Sequence, residues 1–210
     1  MAYPRVYQNH MGPSGGLVTQ LLIAWRAGDE TAKDQLFALL YADLHQIARE
    51  QRKKWRGSST LNTTALVHEL YVRLSRQGAV RAEDRGQLNR FVAKALRHIL
   101  IDYAEKQGRQ RRGGGWIKIP IDALPGEEEG TLDMQLEESL MIDGALSKLE
   151  TIDARLADVV ELRFYGGLTH DEIAQSLGIS KRTVTRDWAQ AKLLLRRIMQ
   201  DTRGLSDQTD

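Results

Sequence analysis

Apolar residues recur at intervals of three and four along nearly the whole chain, a spacing that buries them on one side only if the backbone is helical. Leu36, Leu39, Leu40, Leu44 and Ile47 follow it; so do Leu66, Val67, Leu70, Tyr71 and Leu74, and again Phe91, Val92, Ala95, Leu96, Ile99 and Tyr103. Strand-type alternation goes no further than Trp116 to Ile121. With 4 Pro and 3 Phe in 210 residues and an excess of Leu, Ala, Arg, Gln and Glu, the pattern predicts an all-α chain. Helices are expected over 17–25, 32–50, 62–74, 88–106, 136–149 and 154–164, with two more after Gly166-Gly167. Asn62 or Thr63 caps the third, while the polar stretch 76–87 reads as a loop. The fourth is expected to leave Arg90, Lys94 and Arg97 on its outer face.

One segment breaks the periodicity. Residues 113–135 contain three consecutive Gly, two Pro and the run Glu127 to Glu129, which cannot easily form a packed element. The chain therefore reads as two small helical domains, 17–112 and 136–203, joined by a flexible acidic linker, with a disordered leader (1–16) and a short tail (204–210). Charge follows the same division. Residues 45–112 hold 16 Lys and Arg against 6 Asp and Glu, whereas 113–153 hold 2 against 10, so the net charge of +2 conceals opposite halves. Basic modules on either side of an acidic stretch suggest a polyanionic partner and a connector that must avoid or imitate it.

The last two helices carry the most specific local pattern. Thr169 and Glu172 form a capping box, Ile173, Ala174 and Leu177 face inward, and Gly178 supplies the freedom for a tight turn. Ser180 caps the next helix, where Val184, Trp188, Ala191 and Leu195 line one face and Lys181, Arg182, Thr185 and Arg186 point away. This is the pattern of a helix-turn-helix whose second helix enters the major groove amino-terminus first.

Other functions lack their residues. There is no Cys, which removes disulfides, thiolate metal sites and Cys nucleophiles and agrees with a reducing, cytoplasmic setting. No membrane span or secretory leader is legible. His68-Glu69 lacks the second His of a zinc-protease helix, and neither a phosphate-binding loop nor a nucleophile elbow occurs. The expectation is a protein that is not an enzyme and carries no cofactor or metal.

Taken together, Leu146 to Met199 (LSKLETIDARLADVVELRFYGGLTHDEIAQSLGISKRTVTRDWAQAKLLLRRIM) resembles the −35-binding domain of bacterial ECF sigma factors of the sigma-70 superfamily. Ala65 to Leu74 (ALVHELYVRL) is similar to the family helix that docks on the RNA polymerase clamp, and Phe91 to Arg112 (FVAKALRHILIDYAEKQGRQRR) to its −10-binding helix with a basic tail. The resemblance implies core RNA polymerase (clamp and flap) and promoter DNA as partners, with an anti-sigma factor as a further one. It implies −35 contacts from Lys181, Arg182, Thr183, Thr185 and Arg186, −10 contacts from Arg90, Lys94, Arg97 and His98, and polymerase contacts from Leu66, Val67, Glu69 and Leu70. The loop 77–89 would capture a flipped base, Trp55 amid Arg52 to Arg56 would stack on an unpaired one, and the acidic linker would run through the polymerase channel.

In one place the chain departs from that family. Where these sigma factors carry an acidic cluster before the docking helix, Asn62, Thr63, Thr64 and Ala65 hold no carboxylate. Losing opposed charges at a desolvated contact with a basic clamp weakens binding, and a phosphate of about −1.5 to −2 charges at a helix amino terminus restores it. Phosphorylation of Thr63 or Thr64 by a Ser/Thr protein kinase is therefore expected to switch the factor on, as the resemblance implies for a subgroup lacking those acids. A rival class is an autonomous helix-turn-helix regulator, which would bind duplex DNA without polymerase.

Overall fold

The computed structural model describes residues 14–54, 62–76, 82–110 and 136–206. All regular structure among them is helical, in eight elements: α1 (Ser14–Arg26), α2 (Glu30–Lys54), α3 (Thr63–Arg76), α4 (Arg85–Gln110), α5 (Leu136–Ile152), α6 (Ala154–Phe164), α7 (His170–Leu177) and α8 (Lys181–Ser206). The leader before Ser14, Trp55, the first part of the expected base-capturing loop (77–81), Arg111 and Arg112 of the basic tail, the linker with its Trp116–Ile121 alternation, and the last four residues lie outside the described residues.

Where the helices exceed their sequence limits, local chemistry explains it. α2 runs on to Lys54 because Arg52, Lys53 and Lys54 are good helix formers and no Gly occurs between Gly28 and Gly57. α4 starts at Arg85, inside the expected loop, because Asp84 caps it: its carboxylate accepts the Gln87 N–H at 2.8 Å and its carbonyl the Leu88 N–H at 3.1 Å. At α3 the cap is Asn62, whose Oδ1 accepts the Thr64 N–H at 2.9 Å.

α1 to α4 pack into one bundle, and α5, α6 and α8, with α7 lying against α6 and α8, into a second. Leu22, Leu36, Leu70, Leu96 and Leu100 are fully buried in the first; Leu146, Leu149, Leu156 and Tyr165 are fully buried in the second. Each such leucine contributes about 1.5–3 kcal/mol by leaving water. Tyr71 is the exception on its stripe: it is partly exposed and packs against Phe37, ring centroids 4.5 Å apart and tilted by 59°.

The two bundles are themselves packed together. α4 lies against α5, α6 and α7, and the buried apolar residues of both bundles form one continuous cluster. At α2, the buried Gln51 amide donates to the carbonyls of Phe164 and Tyr165 at 2.7 and 2.8 Å, satisfying groups at the end of α6.

Candidate nucleic-acid interface

α7 and α8 are joined by a rigid turn. The Thr169 side chain accepts the Glu172 N–H at 3.3 Å while the Glu172 carboxylate accepts the Thr169 N–H at 2.7 Å, so the expected capping box is complete. Gly178 ends α7 in the left-handed conformation (φ 66°), and the Ile179 N–H reaches back to the Ala174 carbonyl at 3.0 Å. Ser180 caps α8 by accepting the Thr183 N–H at 3.1 Å. Val184, Trp188, Ala191 and Leu195 are buried beneath it.

That packing turns Lys181, Arg182, Thr185 and Arg186 to solvent, with Thr183 half-buried between them. Lys181 pairs with Asp171 of α7 at 2.8 Å, and the Thr185 hydroxyl donates to the Lys181 carbonyl at 3.1 Å. Asp187, a residue that helical spacing does not single out, is fully buried directly behind this face. It accepts Arg155 Nε of α6 at 2.8 Å and Arg186 Nη2 at 3.0 Å, fastening α8 to α6 and orienting Arg186. The surface presents cations and hydroxyls from one helix end, suited to phosphates and base edges.

A second basic stripe lies on α4, and here the structure corrects the sequence reading. Arg97, expected on the outer face, has a side chain only 3% exposed. Its Nε donates to Asp143 at 2.6 Å, Nη1 to Glu161 at 2.6 Å, and Nη2 to the Asp143 carbonyl at 3.0 Å and the Ser147 hydroxyl at 2.7 Å. Lys94 pairs with Glu150 at 2.7 Å and Arg90 with Asp158 at 3.8 Å. His98 is exposed beside them, on an open cleft of about 770 Å³ between α4 and α6.

The charge states follow from this crowding. Burial works to lower the Arg97 value, but the hydrogen bonds it donates to Glu161 and Asp143 outweigh it and hold the guanidinium charged. Burial pushes the Glu161 carboxyl up, with Arg97 opposing. Asp158 is likewise raised by burial, against Arg90. Lys94 is raised by its hydrogen bond to Glu150, and Glu150 is lowered by the same bond. His98 is lowered by burial and then by Arg97, Arg73 and Lys94.

A family model described as "ECF sigma factor" matches residues 16–201, spanning both bundles and both basic surfaces. The chain belongs to the ECF sigma factors. Such proteins are non-enzymatic initiation factors that bind core RNA polymerase and promoter DNA, often also anti-sigma factors, and direct promoter recognition. No match was found among curated proteins or among solved structures. No described helix of the sigma factor is long and apolar enough to cross a membrane.

On α3, Leu66, Val67 and Leu70 are buried in the amino-terminal core, so in this arrangement they shape the helix rather than offer a surface. Glu69 is exposed and accepts Arg73 Nε at 3.3 Å. Arg73 also pairs with Asp102 of α4. The first turn of α3 contains no acidic residue; Thr64 is exposed there and Thr63 half-buried.

Proposed function

We propose that this sigma factor holds promoter DNA through two basic surfaces carried by two domains, 17–112 and 136–203, joined by the acidic linker 113–135. In this reading α7 and α8 are a helix-turn-helix in which Lys181, Arg182, Thr183, Thr185 and Arg186 meet the −35 element. The α4 stripe of Arg90, Lys94, Arg97 and His98 meets the −10 element. What carries the reading is the exposure of the first turns of α8 above a face locked by Val184, Trp188, Ala191 and Leu195, because only a fixed helix can present side chains to a groove in one register. In a transcription reaction with core polymerase, Arg182→Ala is expected to lower initiation from promoters with a −35 element and to leave polymerase binding intact. Unchanged initiation with both Arg182→Ala and Arg186→Ala would overturn the α8 assignment.

The polymerase-docking surface falls on α3, with Glu69 at the surface and Leu66, Val67 and Leu70 fixing the helix beneath it. Control by a Ser/Thr kinase at Thr63 or Thr64 is supported by three features: an α3 first turn without carboxylates, an exposed Thr64, and a Glu69 already paired with Arg73. A phosphate there adds charge where backbone N–H groups and the helix dipole favour it. Thr63→Glu with Thr64→Glu is expected to raise polymerase binding and transcription. A double alanine variant that initiates as well as a kinase-treated wild type would remove the switch.

A further inference from the structure

The first turns of α8 carry two exposed arginines in unlike settings. The Arg182 side chain has no hydrogen-bond or ion-pair partner among the described residues, so nothing there fixes its rotamer. Arg186, one turn on, is held. Its Nε and Nη2 both donate to Asp187 Oδ1, at 3.2 and 3.0 Å. A guanidinium donates in its own plane, so engaging the edge formed by Nε and Nη2 leaves the far fork, Nη1 with the second hydrogen of Nη2, unspent. The side chain is 66% exposed, which keeps that fork open to a ligand.

Asp187 can serve as the fixed point because another helix holds it. It is fully buried, and Arg155 of α6 donates from Nε to its other oxygen, Oδ2, at 2.8 Å. Its position is therefore set by the packing of α6 on α8 and not by Arg186. Arg155 also keeps the buried carboxylate paired when Arg186 turns part of its charge to a ligand, which spares the cost of an isolated buried charge. The neighbours of Asp187 on the inner side of α8 are Val184, Trp188 and Ala191, all buried. Packing against them gives no reason for a carboxylate, whose burial costs free energy unless a polar task is met.

We propose that Asp187 is a positioning residue that makes Arg186 the reader of one guanine in the −35 element, while Arg182 holds a phosphate. This deepens the reading of α8 as the −35 surface and rests on it. In the major groove guanine offers two adjacent acceptors, N7 and O6, which match the free fork of a guanidinium whose plane is already set. Adenine presents a donor where guanine presents O6, so the same fork meets one acceptor and one opposed N–H. Setting the plane beforehand removes much of the rotamer freedom that an exposed arginine otherwise loses on binding, and the saving falls to the base that fits. A phosphate accepts from many directions and carries no sequence information, which suits the unheld Arg182.

The test uses the full-length sigma factor with core RNA polymerase and duplex promoters whose −35 element is randomised, scoring the enrichment of each base at each position among bound molecules. The wild type is expected to favour guanine over adenine at one position by at least about tenfold, within the worth of a bidentate pair. Arg186→Lys keeps the charge but has no plane for Asp187 to fix. It is expected to lose most of that preference with the salt dependence of binding unchanged. Asp187→Asn is expected to weaken the same preference and to leave binding to promoters without the guanine as it was. Arg182→Ala is expected to weaken all sequences alike and to lower the salt slope by about 1. Arg186→Lys, at an exposed position, guards against an Asp187→Asn protein that fails to fold. A guanine preference that survives Arg186→Lys would overturn the inference alone. So would an equal loss on every −35 sequence in Asp187→Asn with the preference kept, because the acid would then only fasten α8 to α6. Binding and base preferences unchanged in all three variants would overturn the inference together with the α8 assignment.

Discussion

The two basic surfaces of this sigma factor are alike in sequence and opposite in circumstance. On α8, Lys181, Arg182 and Arg186 stand in solvent over a helix anchored from behind; on α4, Arg97 is buried among carboxylates while Arg90 and Lys94 are paired at the rim. The difference lies in what each helix meets. α8 turns its apolar side to α5, α6 and α7 and meets α7 on its polar side only through exposed groups such as the Lys181–Asp171 pair, whereas α4 is packed on both sides, by α3 and α1 on one and by α5 to α7 on the other. A basic stripe on a helix therefore stays exposed where a neighbour meets it only at the surface, as Asp171 meets Lys181, and is covered where two elements bring carboxylates across it, as at Arg97.

The largest effect that would break this comparison is at the centre of the α4 contact. Glu161→Ala leaves Arg97 buried with one partner fewer, and a loss of about 3–5 kcal/mol of unfolding free energy is expected in a denaturant titration. Arg182→Ala, on the other surface, is expected to stay within about 0.5 kcal/mol of wild type in the same titration. A Glu161→Ala protein as stable as wild type would mean that the α4 pairing is as dispensable as a surface one.

Recognition supplies the next effect. Arg182→Ala or Arg186→Ala is expected to weaken promoter complexes by about 1–3 kcal/mol if the residue reads a base, or to lower the salt dependence if it holds only a phosphate, as a filter-binding series over salt would reveal. Thr169→Ala removes one side of the capping box and is expected to cost about 1 kcal/mol in thermal unfolding, because α7 supports α8. At the rim, Lys94→Ala leaves a half-exposed Glu150 without its lysine and is expected to cost less than about 1 kcal/mol, less still at high salt. A cost near that of Glu161→Ala would contradict the graded interface.

The smallest effect is a pH dependence. His98 sits below the ordinary imidazole value of 6.5, held down by burial and by Arg97, Arg73 and Lys94, with Asp143 opposing. A depressed value means that its contribution to stability is complete above 6.5 and is lost as the pH falls through the lowered value. Unfolding free energy in a denaturant series is expected to decline as the pH falls below 6.5, and His98→Gln to flatten that part of the profile.

Much of the molecule was legible before its coordinates. Apolar spacing located the helices, and Thr169, Glu172, Gly178 and Ser180 marked the ends of α7 and α8, because capping and turn geometry depend on residues within four positions of one another. Val184, Trp188, Ala191 and Leu195 were recognisable as the inner face for the same reason. The burial of Arg97 was not legible. Its partners lie 46 and 64 residues away, and periodicity sorts apolar from polar within a helix but says nothing of polar meeting polar between helices. Asp187 escaped notice likewise, since a lone acid inside a basic run looks like ordinary surface until Arg155 is found beside it.

The amino-acid order alone settled which segments are helical, where they cap and which stripe of each is greasy, since those properties are decided by neighbours along one backbone turn. Only the tertiary structure decided that the cations of α4 face carboxylates of α5 and α6 and those of α8 do not. That outcome depends on bringing charges tens of residues apart to within hydrogen-bonding distance, where the energy of pairing must offset the cost of leaving water.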